Sequence, residues 1–145
     1  MKMIYQRYFD IRLKSINSAY SIGTNKHTGK SFLFKKNKYA DSFSEIEFDI
    51  FTMHKKILGK IDLNTEMFFI TYYEFMPNFF NKNGTVNKKR GDSDRFLKGA
   101  KDALFKGLGV DDCHCLGEKI WQLPSDDEKI LIEIHKVKIP KKGQR

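Results

Sequence analysis

The chain predicts an α/β fold of the α+β kind, a small mixed β-sheet of about four to five strands packed with two main helices. Three observations carry that expectation. Short runs alternate apolar and polar residues near both ends of the chain, the period-2 mark of half-buried strands. Two internal stretches, Ser42–Leu58 and Phe96–Leu108, repeat apolar residues at helical spacing. Between them, Met67–Phe75 is dense in aromatic and β-branched residues, as a buried sheet strand is.

Taken in order, the first strand is expected over Tyr5–Leu13, where Phe9, Ile11 and Leu13 alternate with Asp10, Arg12 and Lys14. Ser15–Ser18 breaks the pattern with turn formers. Residues 19–38 read as an irregular or hairpin segment, with a turn at Lys26–Lys30 and a short strand at Ser31–Phe34. Its basic residues suit either phosphate gripping or an ordinary solvated loop.

The first helix is expected over Ser42–Leu58. Ser42 with Glu45 has capping-box spacing, and Gly59 stands where a helix C-terminal glycine belongs. Phe43, Ile46, Ile50, Met53 and Ile57 should face the core, while His54 is expected at the surface. Pro77 ends the aromatic strand. Residues 77–91 form a loop with Asn83-Gly84 as a turn, charged by Lys82, Lys88, Lys89 and Arg90 and holding Phe79 and Phe80, which are expected to pack beneath it.

In the second helix Leu97, Ala100, Leu104 and Leu108 make the apolar stripe, and Gly107 and Gly109 close it. Asp94, Lys98 and Asp102 fall on a different face. Cys113–Leu123 and Lys129–Val137 are expected to pair as a terminal hairpin around Pro124–Glu128. No repeat or linker divides the chain, so residues 1–138 are expected to form one domain, followed by a basic tail over 139–145.

Composition narrows the function. Hydrophobic residues are 40% of the chain and Phe occurs 13 times, which excludes a disordered protein. Twenty-seven Lys and Arg oppose 18 Asp and Glu, a formal charge of +9 that points to a polyanion, nucleic acid first and a membrane surface second. No apolar run approaches a membrane span or a signal-peptide core, and the only two cysteines, Cys113 and Cys115, fit a reducing, cytoplasmic setting.

Against that basic background, five carboxylates gather within Lys88–Cys115: Asp92, Asp94, Asp102, Asp111 and Asp112. Two like charges about 5 Å apart repel by roughly 3 kcal/mol at an effective dielectric of about 20. If several converge, a divalent metal is the natural counter-charge, with a nearby lysine as helper. An EF-hand is excluded because no glycine stands at loop position six. Cys113, His114 and Cys115 lack the spacing and the second ligand pair of a zinc site.

As a unit, the segment resembles the RusA family of Holliday-junction resolvases. Lys88-Lys89-Arg90 precedes Asp92-x-Asp94, Lys98 follows one helical turn on, then Lys101-Asp102-Ala103-Leu104 and Val110-Asp111-Asp112. Ser15-Ile16-Asn17 is similar to the family's N-terminal Ser-Asn segment, and a long helix, an aromatic strand and a C-terminal hairpin containing Lys119 follow in family order. The resemblance spans roughly residues 4 to 137. Arg95 stands where the family usually has Asn, and the proline-rich stretch near the N-terminus is replaced by Lys14-Ser15-Ile16.

The resemblance implies that Asp92, Asp94 and Asp112 are catalytic carboxylates, that these with Asp111 bind magnesium or, in its place, manganese, and that Lys98 is the essential lysine. Asp102 is left to orient Lys98. Lys82, Lys88, Lys89, Arg90, Asn17 and Lys119 are the implied DNA contacts. The implied protein is a homodimeric α/β endonuclease that nicks opposing strands of a four-way junction, in recombination and repair in the cytoplasm of a bacterial or phage-infected cell. The alternatives are a non-catalytic branched-DNA binder of the same fold and, behind it, a single-strand or RNA nuclease.

Overall fold

The computed structural model describes residues 1–10, 20–24, 26–35, 37–90 and 96–140. Strands β1 (Lys2–Phe9), β4 (Glu66–Met76), β5 (Cys115–Pro124) and β6 (Lys129–Lys138) form one mixed sheet in the order β1-β6-β4-β5. Strands β2 (Tyr20–Thr24) and β3 (Ser31–Lys35) pair separately as an antiparallel hairpin. Two helices complete the fold, α1 (Asn37–Leu58) and α2 (Leu97–Leu108). The expected small mixed sheet with two main helices is therefore present.

β4 is the sheet's spine. It runs parallel to β5 and antiparallel to β6, and the parallel pair is bridged by a crossover through α2. Phe68, Ile70, Tyr72 and Met76 are buried on the helix-covered face. Phe68 meets Phe105 edge-on at 5.8 Å, and Tyr72 meets Phe96 at 5.9 Å. α2 thus runs back along β4, its start near Tyr72 and its end near Phe68.

α1 behaves as its spacing predicts. Phe43, Ile46, Ile50 and Ile57 are buried and Met53 is half-buried. The helix begins at Asn37, about a turn before the expected start, so Ser42 and Glu45 lie inside it rather than in a capping box. α2 buries more than its predicted stripe, because it is packed between the sheet and α1. Ala103, Phe105 and Gly107 join Ala100, Leu104 and Leu108 in the interior. Gly107 does not close the helix: it sits within it, at the crossing with α1. Gly109, at φ 73°, makes the left-handed C-cap.

β1 departs from simple alternation. Ile4 and Tyr5 are both buried because pairing to β6 shifts between Met3 and Tyr5, a bulge that places one extra residue in β1. Tyr5 donates its hydroxyl to Asp49 Oδ2 at 2.5 Å, and Arg7 pairs with the same carboxylate at 3.1 Å, tying the strand to α1. Residues 11–13 of the expected first strand lie outside the described residues.

The expected terminal hairpin is not formed. β5 and β6 flank β4 on either side instead of pairing with each other. Met76 of β4 is paired with Pro124, and Phe75 with Lys129, so residues 125–128 cross over the end of β4. Ser125 N donates to the Met76 carbonyl at 3.2 Å, fastening the crossing. Turn-forming residues fix a reversal of direction but not whether a third strand lies inside it. Two strand spacings are about 9.6 Å, a gap that four loop residues easily span.

Candidate metal and nucleic-acid site

The basic loop after β4 is a built structure. Asn81 N donates to the Thr85 carbonyl at 2.7 Å, and Gly84 N donates to the Asn81 carbonyl at 2.9 Å. Asn83 Oδ1 accepts from the Thr85 amide and hydroxyl at 3.1 and 2.6 Å, and Gly84 takes φ 86°, so the Asn83-Gly84 turn is as expected. Lys82, Lys88 and Lys89 remain exposed on this scaffold. Phe79 packs beneath Arg90, whose guanidinium carbon lies 4.7 Å from the ring centre, while Phe80 is half exposed.

Arg90 is largely committed to the fold. Its Nε donates to Gln122 Oε1 at 3.2 Å and its Nη1 to the Asn87 carbonyl at 2.9 Å. Gln122 in turn donates to the buried Glu74 at 3.0 Å. Arg90 therefore fastens the loop to the end of β5, and among the described residues Lys82, Lys88 and Lys89 are the loop's free cations.

Lys98 is exposed in the first turn of α2, on the same end of the molecule as that loop. Asp102 is exposed one turn further on, as its spacing predicts. Asp92, Asp94, Arg95 and Asn17 lie outside the described residues.

Asp111 and Asp112 sit at the other end of α2. Asp111 caps a short 3-10 turn, Asp112–His114, by accepting from Cys113 N at 2.8 Å. That amide bond holds its carboxyl below the ordinary carboxylate value. Both aspartates are exposed, and both cysteines are free thiols. The strand starts at Cys115, not Cys113, because the 3-10 turn occupies the intervening residues. α2 has 12 residues and is about 18 Å long, so a single chain holds Lys98 and Asp112 far apart. Among the described residues no three His, Cys, Asp or Glu side chains gather as a metal cage.

One residue of this region carries no local signal in the sequence. Glu118, on the helix-covered face of β5, is nearly buried and pairs with Lys101 of α2 at 3.6 Å. Burial pushes its carboxyl above the ordinary value, with the Asp102 charge adding to the rise and Lys101 and Tyr72 opposing it. Its Oε2 and the Tyr72 hydroxyl are both fully buried, and among the described residues neither has a hydrogen-bond partner. Burial first, and then the Glu118 charge, hold the Tyr72 hydroxyl well above its usual range. Lys119, the next residue, is exposed on the opposite face of the sheet, away from α2.

No protein-family model matches the chain, and no curated protein matches it significantly in sequence. No described helix is long and apolar enough to cross a membrane.

Proposed function

We propose that the chain is a metal-dependent, structure-selective endodeoxyribonuclease that hydrolyses phosphodiesters in branched DNA, four-way junctions above all, in recombination and repair. One observation carries the proposal: exposed Lys98 opens α2 directly after Asp92-Ser93-Asp94, at the end of the molecule that bears Lys82, Lys88 and Lys89. A phosphate approaching that end meets cations on a fixed scaffold, with carboxylates next in the chain.

The donors are aspartate oxygens, which suit hard ions such as magnesium or manganese. Asp92 and Asp94, with Asp111 and Asp112, would hold the ion. When bound, such an ion supplies Lewis acidity to the phosphate. Lys98 would offset negative charge developing on the phosphoryl oxygens, and the loop lysines would fix the backbone in place. Because α2 separates Lys98 from Asp112, these groups meet at one phosphate only if a second copy contributes. A homodimer also matches the paired strands of a junction.

The test is cleavage of a synthetic four-way junction with magnesium and with manganese. Asp94→Asn should abolish cleavage, and persistent activity in that variant overturns the assigned site. Lys98→Ala should keep the wild-type circular dichroism while cleavage falls by about 10²–10³-fold. A second reading, a non-catalytic branched-DNA binder, is favoured by the span of α2 between Lys98 and Asp112. Tight junction binding in EDTA with no cleavage under either metal would establish it.

A further inference from the structure

The helices cover one face of the four-stranded sheet, and the other carries aromatic rings and lysines. Across β4, Tyr73 is paired with Trp121 of β5 and with Leu131 of β6, and Leu131 is paired with Tyr8 of β1. One row therefore crosses all four strands as Trp121, Tyr73, Leu131 and Tyr8. Phe75 stands two residues along β4, on the same face, with its centroid 6.3 Å from that of Tyr8.

The two ends of this row stand open to solvent, while Tyr73 and Phe75 between them are half-buried and Leu131 is buried beneath its neighbours. Tyr8 is 55% exposed and Trp121 45%, whereas the β4 residues of the other face, Phe68, Ile70 and Tyr72, are 0% exposed. Lysines sit directly on the rings. Lys119 Nζ lies 4.5 Å from the centre of Trp121, and Lys129 Nζ lies 5.2 and 5.3 Å from the centres of Tyr8 and Phe75. The Glu133 carboxylate shares the face. It accepts from Gln6 at 3.3 Å, and burial first and then this carboxylate raise the Tyr73 hydroxyl above its ordinary value.

We propose that this sheet face is a stacking platform for unpaired nucleotides of DNA. Flat exposed rings accept bases of any identity, and each stacked base contributes about 1–3 kcal/mol. Ammonium groups held over ring faces by the cation–π attraction are already placed where phosphates would pass. Four-stranded sheets backed by two helices use exposed aromatics in this way in RNA recognition, reading two or three bases. Charge decides the occupant. A second copy docked on this face would bring lysines against lysines in a drying interface, whereas a phosphate backbone neutralises them. The inference rests on the nucleic-acid part of the proposed function and not on cleavage. It adds that the substrate presents unstacked bases, as the branch point of a junction does.

Trp121 is the only tryptophan in the chain, so its fluorescence reports on this face. A single-stranded thymidine oligonucleotide of about 15 nucleotides should quench Trp121 saturably, and added salt should reverse the quench. Tyr8→Leu and Tyr73→Leu, each with unchanged circular dichroism, should weaken binding by about tenfold apiece. Absence of quenching, or equal quenching by a fully paired duplex, overturns the platform. So does a Tyr8→Leu variant that binds normally but loses self-association in sedimentation, which would make the face a chain–chain interface. The two proposals fail separately: quenching without junction cleavage overturns the nuclease, and cleavage without quenching overturns the platform.

Discussion

Gly107 of α2 lies against Ile50 of α1 so closely that a Cβ on the glycine would stand 2.9 Å from Ile50 Cγ2 and 2.7 Å from the Glu47 carbonyl oxygen. Real side chains do not approach to that distance, and the carbonyl belongs to helical backbone that cannot swing away. The two helices cross as tightly as they do because this position has no side chain.

Gly107→Ala should therefore destabilise the fold although alanine has the better helix propensity. Overpacking of this kind costs about 1–3 kcal/mol, against about 1 kcal/mol gained from propensity. Denaturant unfolding checks the sign. An unchanged or raised midpoint would mean that α1 can slide away from α2.

The Tyr5–Asp49 bond fastens a strand at the sheet edge to α1 across 44 residues of chain. Tyr5→Phe keeps the ring in the core and removes only the hydroxyl. A hydrogen bond to a charged acceptor is worth about 1.5–3 kcal/mol, and the Arg7 pairing should recover part of that for Asp49. The expected loss is about 1–2 kcal/mol in the unfolding free energy. Hydrogen exchange should rise most in β1, which has one strand neighbour.

Glu118 links stability to pH. Its carboxyl is raised above the ordinary value, chiefly by burial, so the folded state holds the proton more tightly than the unfolded chain. The contribution is most favourable below the ordinary carboxylate range and is lost as pH rises through the raised value. Glu118→Gln removes that charging cost along with the Lys101 pairing. The variant should melt higher than the wild type at about pH 8, and the difference should shrink toward about pH 4. A melting difference that does not change with pH would remove Glu118 from the account.

Salt should distinguish the loop lysines from Arg90. Each phosphate contact contributes roughly 0.9 to the slope of log affinity against log salt on duplex DNA. Lys88→Ala and Lys89→Ala should each flatten the slope for junction binding by about one without affecting stability. Arg90→Ala should instead loosen the loop, since it breaks the bonds to Gln122 and Asn87 and leaves the Phe79 ring uncovered. Thermal melting separates the two effects.

The helices and the spine of the sheet were legible because period and burial agree there. Ile46, Ile50 and Ile57 in α1, and Phe68, Ile70 and Tyr72 in β4, face the core as spacing requires. What escaped depends on contacts between distant segments. The bulge at Ile4 is set by registration against β6, and local alternation cannot show it. The β5–β6 connection has ordinary turn chemistry, and only the presence of β4 makes it a crossing. At the site, Lys98 and the exposed lysines stand as their spacing suggests. Glu118 was invisible because its partner, Lys101, comes from a helix that only the crossover lays against β5. Arg90 looked like one more cation of a basic run, and its tie to Gln122 depends on where β5 ends.

The strand order also constrains the time course of synthesis. Within the main sheet β1 pairs with β6 alone, Phe9 with Ile130 and Lys2 with Lys136. At roughly 5–20 residues per second on the ribosome, the first strand emerges many seconds before its partner exists. During that interval Ile4, Tyr5 and Phe9 have no sheet to join, and α1 and α2 can meet only an incomplete β4–β5 pair. β6 then enters between two waiting strands and completes both ladders at once. Such long-range pairing makes for slow folding, with hydrophobic surface exposed until the last strand is inserted.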